Sequence, residues 1–405
     1  MRIGILTYHC PPNFGAQLQA ISTVGYLKKI GHEPIVLNWY PADLEEMYSH
    51  RIPTYQINCH QEFTATAFPL SKKCQTETEL IAEIDALRLD AIFVGSDALF
   101  KYIPKKNRRH FSKRQLKYVY RNVISCELAE NNPFFGGFLH KLAKRIPASV
   151  YAASSQNCPF DRMLPLERRH MRMSLANYHL ITVRDNWTKI MIEKIMRVKD
   201  IQVCPDPVFS FQQNCYLRIP TRQEIVDKYN LNERYILISF RSRRISQDYI
   251  NSIALEAEKE GLQPVALPMP EELYAAGIEK KIELPLSPID WYALIIHSHG
   301  YIGERMHPIV VCLHNSIPFY CFDEYGNTMN GIYNPSSSKT YLIVSEAGLL
   351  ANLYSYQGLD PIPTPSNVIG QLLSFDHATC SQFAKQKAAE YNEGMRLIID
   401  SFSNE

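Results

Sequence analysis

The sequence lacks several patterns that mark common classes of protein. Its ten cysteines are scattered and form no Cys-x-x-Cys pair, which argues against a zinc site and against the disulfide framework of a small secreted protein. No apolar run approaches the roughly 18–20 residues that a membrane span needs. The apolar run at residues 3–6 is too short for a signal peptide. These absences favour a cytoplasmic protein with reduced thiols, with peripheral contact with the inner membrane face left open.

A large excess of charge of one sign is also missing. The 405 residues have a formal net charge of +2, so bulk electrostatics make no case for a nucleic acid partner. We interpret the basic stretch at residues 105–110 as a solvated loop. No G-x-G-x-x-G follows the first predicted strand, and we therefore expect no dinucleotide cofactor.

A metal cofactor is not expected either. His297, His299 and His314 lie close together in the sequence, but no carboxylate-rich or thiolate pattern accompanies them, and nearby Arg305 would repel a cation. Structural roles for these three histidines are favoured.

What the sequence does contain is an alternation of apolar strand and helix patterns. Apolar residues make up 46% of the chain, enough for two buried cores. Residues 2–7, 14–30 and 33–38 predict a strand, a helix and a strand, the opening of a Rossmann-like unit. Residues 40–78 look irregular. After a predicted linker at 212–222 the pattern restarts, with a strand at 235–240.

This alternation predicts an α/β fold of two Rossmann-like domains that face each other across a cleft. We place the N-terminal domain at residues 1–211 and the C-terminal domain at 223–378. A closing C-terminal helix occupies 379–405. The acceptor of a reaction would bind the first domain and the donor the second.

The most informative segment is Gly-Glu-Arg-Met-His-Pro at residues 303–308. It follows a predicted strand and precedes an apolar helix pattern, and turns at the ends of such strands are where open α/β sheets bind ligands. Pro308 fits the first turn of a helix, which would place His307 at or near the N-cap. A permanent cation, Arg305, and a titratable base, His307, suit an anion and a proton transfer.

Other polar clusters also follow predicted strands, where the carboxyl ends of a sheet would bring them together. With the 303–308 segment, they are Asn13 with Gly15, Ser96 with Asp97, Arg184 with Asp185, and Arg241 with Arg243. Arginine is matched to carboxylate and phosphate oxygens. Because Arg184 and Arg305 come from different halves of the chain, a ligand that bound both would bridge the cleft.

Each of these residues also has an ordinary structural interpretation. Arg184 could form an ion pair with Asp185, and His307 could be a satisfied structural histidine. Asp97 could be a general base for a sugar hydroxyl or an N-cap.

The remaining candidates have less specific roles. Gly15 would let the first loop approach a ligand, and Glu304 could orient His307 or Arg305. Glu324 could contact the acceptor, whereas Asp206, between two prolines, is interpreted as a turn former.

In order and spacing, several segments resemble those of the polysaccharide pyruvyl transferases. They are residues 4–7, 13–20, 93–97, 152–155, 182–185, 206–209 and 305–307, which span most of the chain to about residue 325. The last 80 residues add little to the resemblance beyond a closing helix.

The resemblance implies a glycosyltransferase-B-like fold and a specific reaction. An enolpyruvyl-derived unit would pass from phosphoenolpyruvate to a sugar of a glycan or lipid-linked precursor, forming a pyruvate ketal in capsule, exopolysaccharide or cell-wall synthesis. By position, Arg184, Arg305 and the backbone of Met306 would hold the donor, and His307 would be the acid. No metal and no other cofactor is implied.

Two alternatives remain open at this stage. One is a nucleotide-sugar-dependent glycosyltransferase of the same fold, in which the arginines and the histidine would bind a diphosphate. The other is a non-catalytic scaffold of glycan assembly.

Overall fold

The computed structural model describes residues 1–112, 117–120, 125, 128–129, 131–241, 244–272, 275, 277–324, 326–329, 332–334, 338–358 and 360–403. Arg243, a predicted ligand contact, lies outside these residues.

Two parallel sheets organise the described residues. The first has the strand order β2-β1-β3-β6-β7-β8 and the second the order β10-β9-β11-β12-β15. The first sheet contains β1 (Arg2–Leu6), β2 (Glu33–Val36), β3 (Ala91–Asp97), β6 (Ala148–Ala153), β7 (Leu180–Val183) and β8 (Gln202–Val203). The second contains β9 (Tyr235–Ser239), β10 (Gln263–Ala266), β11 (Tyr301–Gly303), β12 (Phe319–Asp323) and β15 (Leu353–Ser355).

Two antiparallel hairpins project from this framework. They pair β4 (Arg109–Ser112) with β5 (Lys117–Tyr120), and β13 (Asn327–Met329) with β14 (Ile332–Asn334).

Helices cover the sheets, and their apolar residues form the cores. In the first half they are α1 (Phe14–Lys29), α2 (Ala42–Ser49), α3 (Thr54–Ala67), α4 (Glu77–Leu87), α5 (Lys105–Arg108), α6 (Pro165–Leu175), α7 (Asn186–Met196) and α8 (Phe211–Asn214). In the second half they are α9 (Arg222–Tyr229), α10 (Gln247–Lys259), α11 (Pro288–Ile296), α12 (Met306–Asn315), α13 (Lys339–Glu346), α14 (Pro365–Leu373) and α15 (His377–Ser401). Short 3-10 turns occupy Pro133–Phe135, Leu139–Lys141, Phe160–Arg162, Pro207–Ser210 and Leu350–Asn352.

The prediction of irregular structure at residues 40–78 is wrong, because α2 and α3 lie there and α4 begins there. The reason is that the buried face of α3 is polar: its buried residues are Gln56, His60, Thr64 and Ala67. Helix patterns are recognised from the spacing of apolar residues, and α3 buries polar residues at that spacing instead.

The same helix joins the two halves of the molecule. The Gln56 side-chain amide donates to the Leu286 carbonyl at 2.9 Å and accepts from the Leu286 N–H at 2.8 Å. Beside this contact, the Phe14 ring stacks on Trp291 with centroids 5.3 Å apart and lies 5.1 Å from the His60 ring. These buried contacts fix the position of α1 against the second sheet.

The start of α12 differs from the sequence prediction by two residues. Arg305 is the N-cap, with an extended backbone and no side-chain cap bond, and Met306 is the first helical residue. Pro308 does lie in the first turn, as predicted, but at its third position. Proline is tolerated there because N–H groups of the first turn have no partner within the helix. His307 is therefore inside the helix rather than at its cap.

Candidate active site

The carboxyl ends of strands from both sheets meet at a cleft with a cavity volume of about 530 Å³. Its lining includes Asp97 at the end of β3, Arg184 after β7, and Arg305, Met306 and His307 after β11. The cleft thus brings together the residues that sequence reasoning drew from the two halves of the chain.

The charge of the cleft is predominantly positive. The described lining contains five Lys or Arg residues and one histidine, His307. The five are Arg51, Lys101, Arg184, Arg305 and Lys339. The described lining contains two acidic residues, Asp97 and Glu271. Such a surface attracts anions, since a cleft lined by one sign of charge focuses its field.

Arg184 lies at the centre of a buried ionic cluster. Its Nη1 donates to Asp206 Oδ2 at 2.7 Å and its Nη2 to Asp97 Oδ1 at 3.2 Å, and its side chain is 6% exposed. Asp185, the alternative partner, instead caps α7 by accepting from the Thr188 N–H at 2.8 Å. The predicted pairing of Arg184 with Asp185 is therefore not the one that forms.

Asp206 has a larger role than its interpretation as a turn former. Its Oδ1 does accept from the Val208 N–H at 3.0 Å, as a turn former would. Its Oδ2 accepts from Arg184 and also from Gln19 Nε2, at 2.6 Å. This carboxylate fixes the guanidinium from the side opposite Asp97, and α1 is tied to the cluster through Gln19.

The electrostatics of Asp97 follow from the cations around it. Burial raises the pKa of Asp97, but the positive charges of Arg184 and Lys339, and that of His307 when it is protonated, outweigh this effect, and the pKa lies below its usual value. Asp97 is therefore a carboxylate, and a lowered pKa makes it a weak base.

His307 lies against α1, close to the Arg184 cluster. Its Nε2 is 3.4 Å from Gln19 Nε2, and its ring lies directly over Gly15. Burial lowers the pKa of His307, and the charges of Arg184 and Lys339 add to this against the opposing effect of the nearby carboxylates. The neutral ring is thus favoured until an anion enters the cleft.

Gly15 has a role that differs from the predicted one. A Cβ at this position would lie 2.1 Å from His307 Cγ and 2.2 Å from His307 Nδ1. The absence of a side chain at Gly15 therefore leaves space for the His307 imidazole. Sequence analysis had expected a ligand to occupy this space.

Substitution of Gly15 by alanine should displace the His307 ring without unfolding α1. A displacement of about 1 Å at a reacting group can lower the rate roughly 100-fold, and we expect a loss of that order in turnover. Gly370→Ala is the matched control, since Gly370 is also helical and a Cβ there would meet no atom within 4 Å. Steady-state kinetics and circular dichroism of both variants check this prediction; equal activity of the two would contradict it.

Lys339, which sequence analysis missed, is a further cation of the site. It is the first residue of α13 and lines the cleft. Burial and the neighbouring Arg184 lower the pKa of Lys339 to about 8, against the opposing effect of Asp185, Asp97 and Asp206. The helix dipole disfavours a positive charge at the first position of a helix. A lysine at such a position is therefore unusual, and this is the feature of the sequence that could have indicated a functional role.

Arg305 is held less tightly than Arg184. Its Nε and Nη2 lie 3.4 and 3.1 Å from Met269 Sδ, and its Nη2 is 3.9 Å from Glu271 Oε1. Thioether sulfur is a weak acceptor, and the side chain is 30% exposed. The guanidinium is therefore available to a stronger anionic partner that enters the cleft.

Several predicted contacts lie elsewhere in the fold. Ser96 is 1% exposed and donates to the Ala152 carbonyl at 3.0 Å, so its hydroxyl is turned away from the cleft. Glu304 is 1% exposed and accepts from the Arg241 N–H at 3.0 Å and from the Tyr356 hydroxyl at 3.1 Å. These two hydrogen bonds hold the loop after β9 in place. They do not orient His307 or Arg305.

Two other candidates also differ from their predicted roles. Asn13 lines the cleft, but its side chain caps α1 by accepting from the Ala16 N–H at 3.3 Å. Arg241 and Glu324 are not among the residues that line the cleft.

The described ranges contain neither a metal-binding cluster nor a membrane-spanning helix. They contain no group of three or more His, Cys, Asp or Glu side chains placed to hold a metal ion. In the same ranges, no helix combines the length and hydropathy of a membrane span.

Comparison with known families identifies the chain. The family model described as polysaccharide pyruvyl transferase matches residues 13–325, which include Asp97, Arg184, Arg305 and His307. The chain belongs to the polysaccharide pyruvyl transferase family. This membership makes it a transferase of polysaccharide biosynthesis and implies a sugar acceptor. No curated protein sequence matches the chain.

Solved structures show the same fold as this pyruvyl transferase family member at low sequence identity. The UDP-GlcNAc 2-epimerase of Neisseria meningitidis, bound to UDP-GlcNAc, aligns over 100% of both chains with 12% identity and a TM-score of 0.50. UGT89C1 of Arabidopsis thaliana aligns over 99% of both chains with 10% identity and a TM-score of 0.50. Together with the two parallel sheets, these similarities confirm the predicted glycosyltransferase-B-like fold.

Proposed function

We propose that this family member transfers an enolpyruvyl-derived unit from phosphoenolpyruvate to two hydroxyls of a glycan sugar, forming a pyruvate ketal. The observation that carries the proposal is the cleft in which Arg184, Arg305, His307 and Lys339 converge from both halves of the chain. Phosphoenolpyruvate has two anionic groups, a carboxylate and a phosphate, both attached to its central carbon. A cleft with several separated cations is complementary to such a ligand.

Donor binding would use the differences among these cations. Arg184 is oriented by two carboxylates before any ligand arrives, so little side-chain freedom is lost when it binds an anion. Arg305, which contacts the weak acceptor Met269 Sδ and lies 3.9 Å from Glu271, can close on the ligand. We assign the donor to Arg184, Arg305 and Lys339 and to the backbone at Met306, the first turn of α12.

His307 would act as the proton donor to the methylene carbon. In the empty cleft, burial and the neighbouring cations keep the pKa of His307 low. A bound donor brings negative charge beside the ring and raises this pKa, so His307 takes up a proton as the donor binds. His307 would therefore be protonated, and able to act as an acid, only when the donor is bound.

The remaining steps of the proposed reaction account for every proton and for the phosphate, and none of these steps uses a metal. Protonation of the methylene carbon makes the adjacent carbon electrophilic, and one sugar hydroxyl adds to it. A second hydroxyl then displaces the phosphate and closes the ketal. Of the two hydroxyl protons, one replaces the proton given up by His307 and the other leaves with hydrogen phosphate.

Asp97 fits a positioning role better than the role of a base. It holds Arg184 at 3.2 Å, and its lowered pKa makes it a poor proton acceptor. We therefore propose that Asp97 and Asp206 together orient Arg184 toward the donor.

The direct test incubates the purified protein with phosphoenolpyruvate and a panel of glycosides and lipid-linked glycans. Phosphate release with a mass gain of the acceptor would support the proposal. Thermal-shift titration with phosphoenolpyruvate and with nucleotide sugars separates the two donor classes. Stabilisation by nucleotide sugars alone, with their turnover, would replace the proposed donor with a nucleotide sugar.

Donor binding should weaken as the pH rises through about 8, because Lys339 loses its proton there. The donor phosphate, whose second pKa is about 6, is already fully ionised over this range. Lys339→Arg is the matched variant, since its guanidinium keeps its charge. The Kd for phosphoenolpyruvate should rise between pH 7 and pH 9.5, as measured by calorimetry, and the rise should be smaller in Lys339→Arg, which retains only the part that comes from proton uptake by His307. The same rise in both proteins would exclude Lys339 as its source.

A further inference from the structure

One segment of the chain has a charge unlike that of the rest. Residues 98–126 contain nine Lys and Arg residues and no Asp or Glu. The chain as a whole has a formal net charge of +2, so the remainder is net acidic. We call the described residues 101–112 and 117–120 the basic arm; its cationic residues are Lys101, Lys105, Lys106, Arg108, Arg109 and Lys117.

The basic arm leaves the wall of the cleft and returns to it. At its start, the Tyr102 hydroxyl donates to Glu167 Oε1 at 2.6 Å, and the Ile103 N–H donates to the Leu128 carbonyl at 3.2 Å. Leu128 and Ser125, just beyond its end, line the cleft together with Lys101. The start of the arm is therefore anchored beside the cleft, and residues shortly after its end line the same cleft.

Between these anchors the arm forms α5 and the hairpin of β4 and β5. Lys106, Arg109 and Lys117 are exposed, and the ring of Tyr118 is exposed as well, at 59%. The Arg109 guanidinium lies 4.1 Å from the centroid of the Tyr118 ring. The hairpin thus presents cations beside an exposed aromatic side chain.

We propose that the basic arm docks the protein on an anionic lipid bilayer, with the mouth of the cleft beside the membrane surface. Clusters of Lys and Arg are attracted to anionic headgroups by roughly 1 kcal/mol per residue, and tyrosine is enriched at the level of the headgroups. Lys106, Arg109 and Lys117 do not line the cleft. Their placement suits a broad charged surface better than a small ligand held in a pocket.

The experiment measures sedimentation of the whole protein with vesicles of phosphatidylcholine, with and without phosphatidylglycerol. The test variant is Lys106→Glu, Arg109→Glu and Lys117→Glu combined, three exposed positions on the arm. The matched control combines Lys29→Glu, Lys199→Glu and Lys385→Glu, which change the net charge equally at exposed positions that do not line the cleft. Circular dichroism verifies that both variants are folded.

We expect binding to vesicles that contain phosphatidylglycerol, weakened by salt. Binding should be at least about 100-fold weaker in the arm variant and much less affected in the control. Binding that ignores phosphatidylglycerol, or that falls equally in both variants, would overturn the proposal. So would binding by the arm to polyuridylate RNA with none to vesicles. Since the assay contains neither donor nor acceptor, its outcome is independent of the proposed reaction.

Discussion

Replacement of His307 by alanine should lower turnover by about 10²–10⁴-fold, the usual contribution of a general acid. The donor should still bind, because Arg184, Arg305 and Lys339 are unchanged and line the same cleft. Single-turnover measurement of ketal formation and calorimetry with phosphoenolpyruvate check the two parts separately. The loss should be expressed in kcat, with a smaller change in the Kd of the donor.

A second histidine provides the control for this variant. His314 lies on the same helix, α12, but does not line the cleft. We expect His314→Ala to affect stability through its packing while kcat stays close to that of the wild type. Strong residual activity in His307→Ala would remove this residue from the acid role and would require another proton donor in the cleft.

Replacement of Arg184 by alanine should destabilise the fold as well as abolish donor binding. The substitution leaves Asp97 and Asp206 buried without the cation that bridges them. Removal of one partner from a buried ionic cluster commonly costs about 3–5 kcal/mol. Chemical denaturation of the variant and the wild type at pH 7 measures this difference in the free energy of unfolding.

The pH dependence of the Arg184 variant distinguishes this mechanism from a simple loss of packing. Without the guanidinium, burial should raise the pKa of the Asp97 carboxyl above its value in the unfolded chain. Such a group destabilises the fold increasingly as the pH rises above its unfolded value. The variant should therefore recover part of its stability between pH 7 and pH 5. A deficit that stays constant over this range would point to lost packing instead.

Apolar patterning predicted much of the framework correctly. The strands expected at 2–7 and 235–240 and the helix expected at 14–30 form as β1, β9 and α1, each within one residue of its predicted bounds. The buried positions of α1 include Leu18, Ile21 and Leu27, and apolar residues at this spacing make a helix visible in the sequence. In α3, by contrast, Gln56, His60 and Thr64 occupy the buried face, and their hydrogen bonds to residues distant in sequence make their burial possible.

The site shows the same division between local and distant information. Sequence analysis drew Arg184, Arg305 and His307 together because each follows a strand, and strand ends meet at one edge of a parallel sheet. It missed Lys339, which begins α13 rather than following a strand and lies beyond the residues that the family model matches. It also treated Asp206 as a local turn former, since nothing near it in the sequence identifies Arg184 as its partner.

The sequence by itself determined the fold class, the family and several of the strand-end residues of the cleft, among them Arg184, Arg305 and His307, because these depend on local patterns and on their order. The tertiary structure decided which groups touch. It pairs Arg184 with Asp97 and Asp206 rather than with Asp185, and it places the Gly15 backbone beneath the His307 ring. The period of the apolar residues indicates which face of a helix or strand is buried. The residues that pack against that face come from distant parts of the chain, and only the packing of the two sheets determines which residues these are.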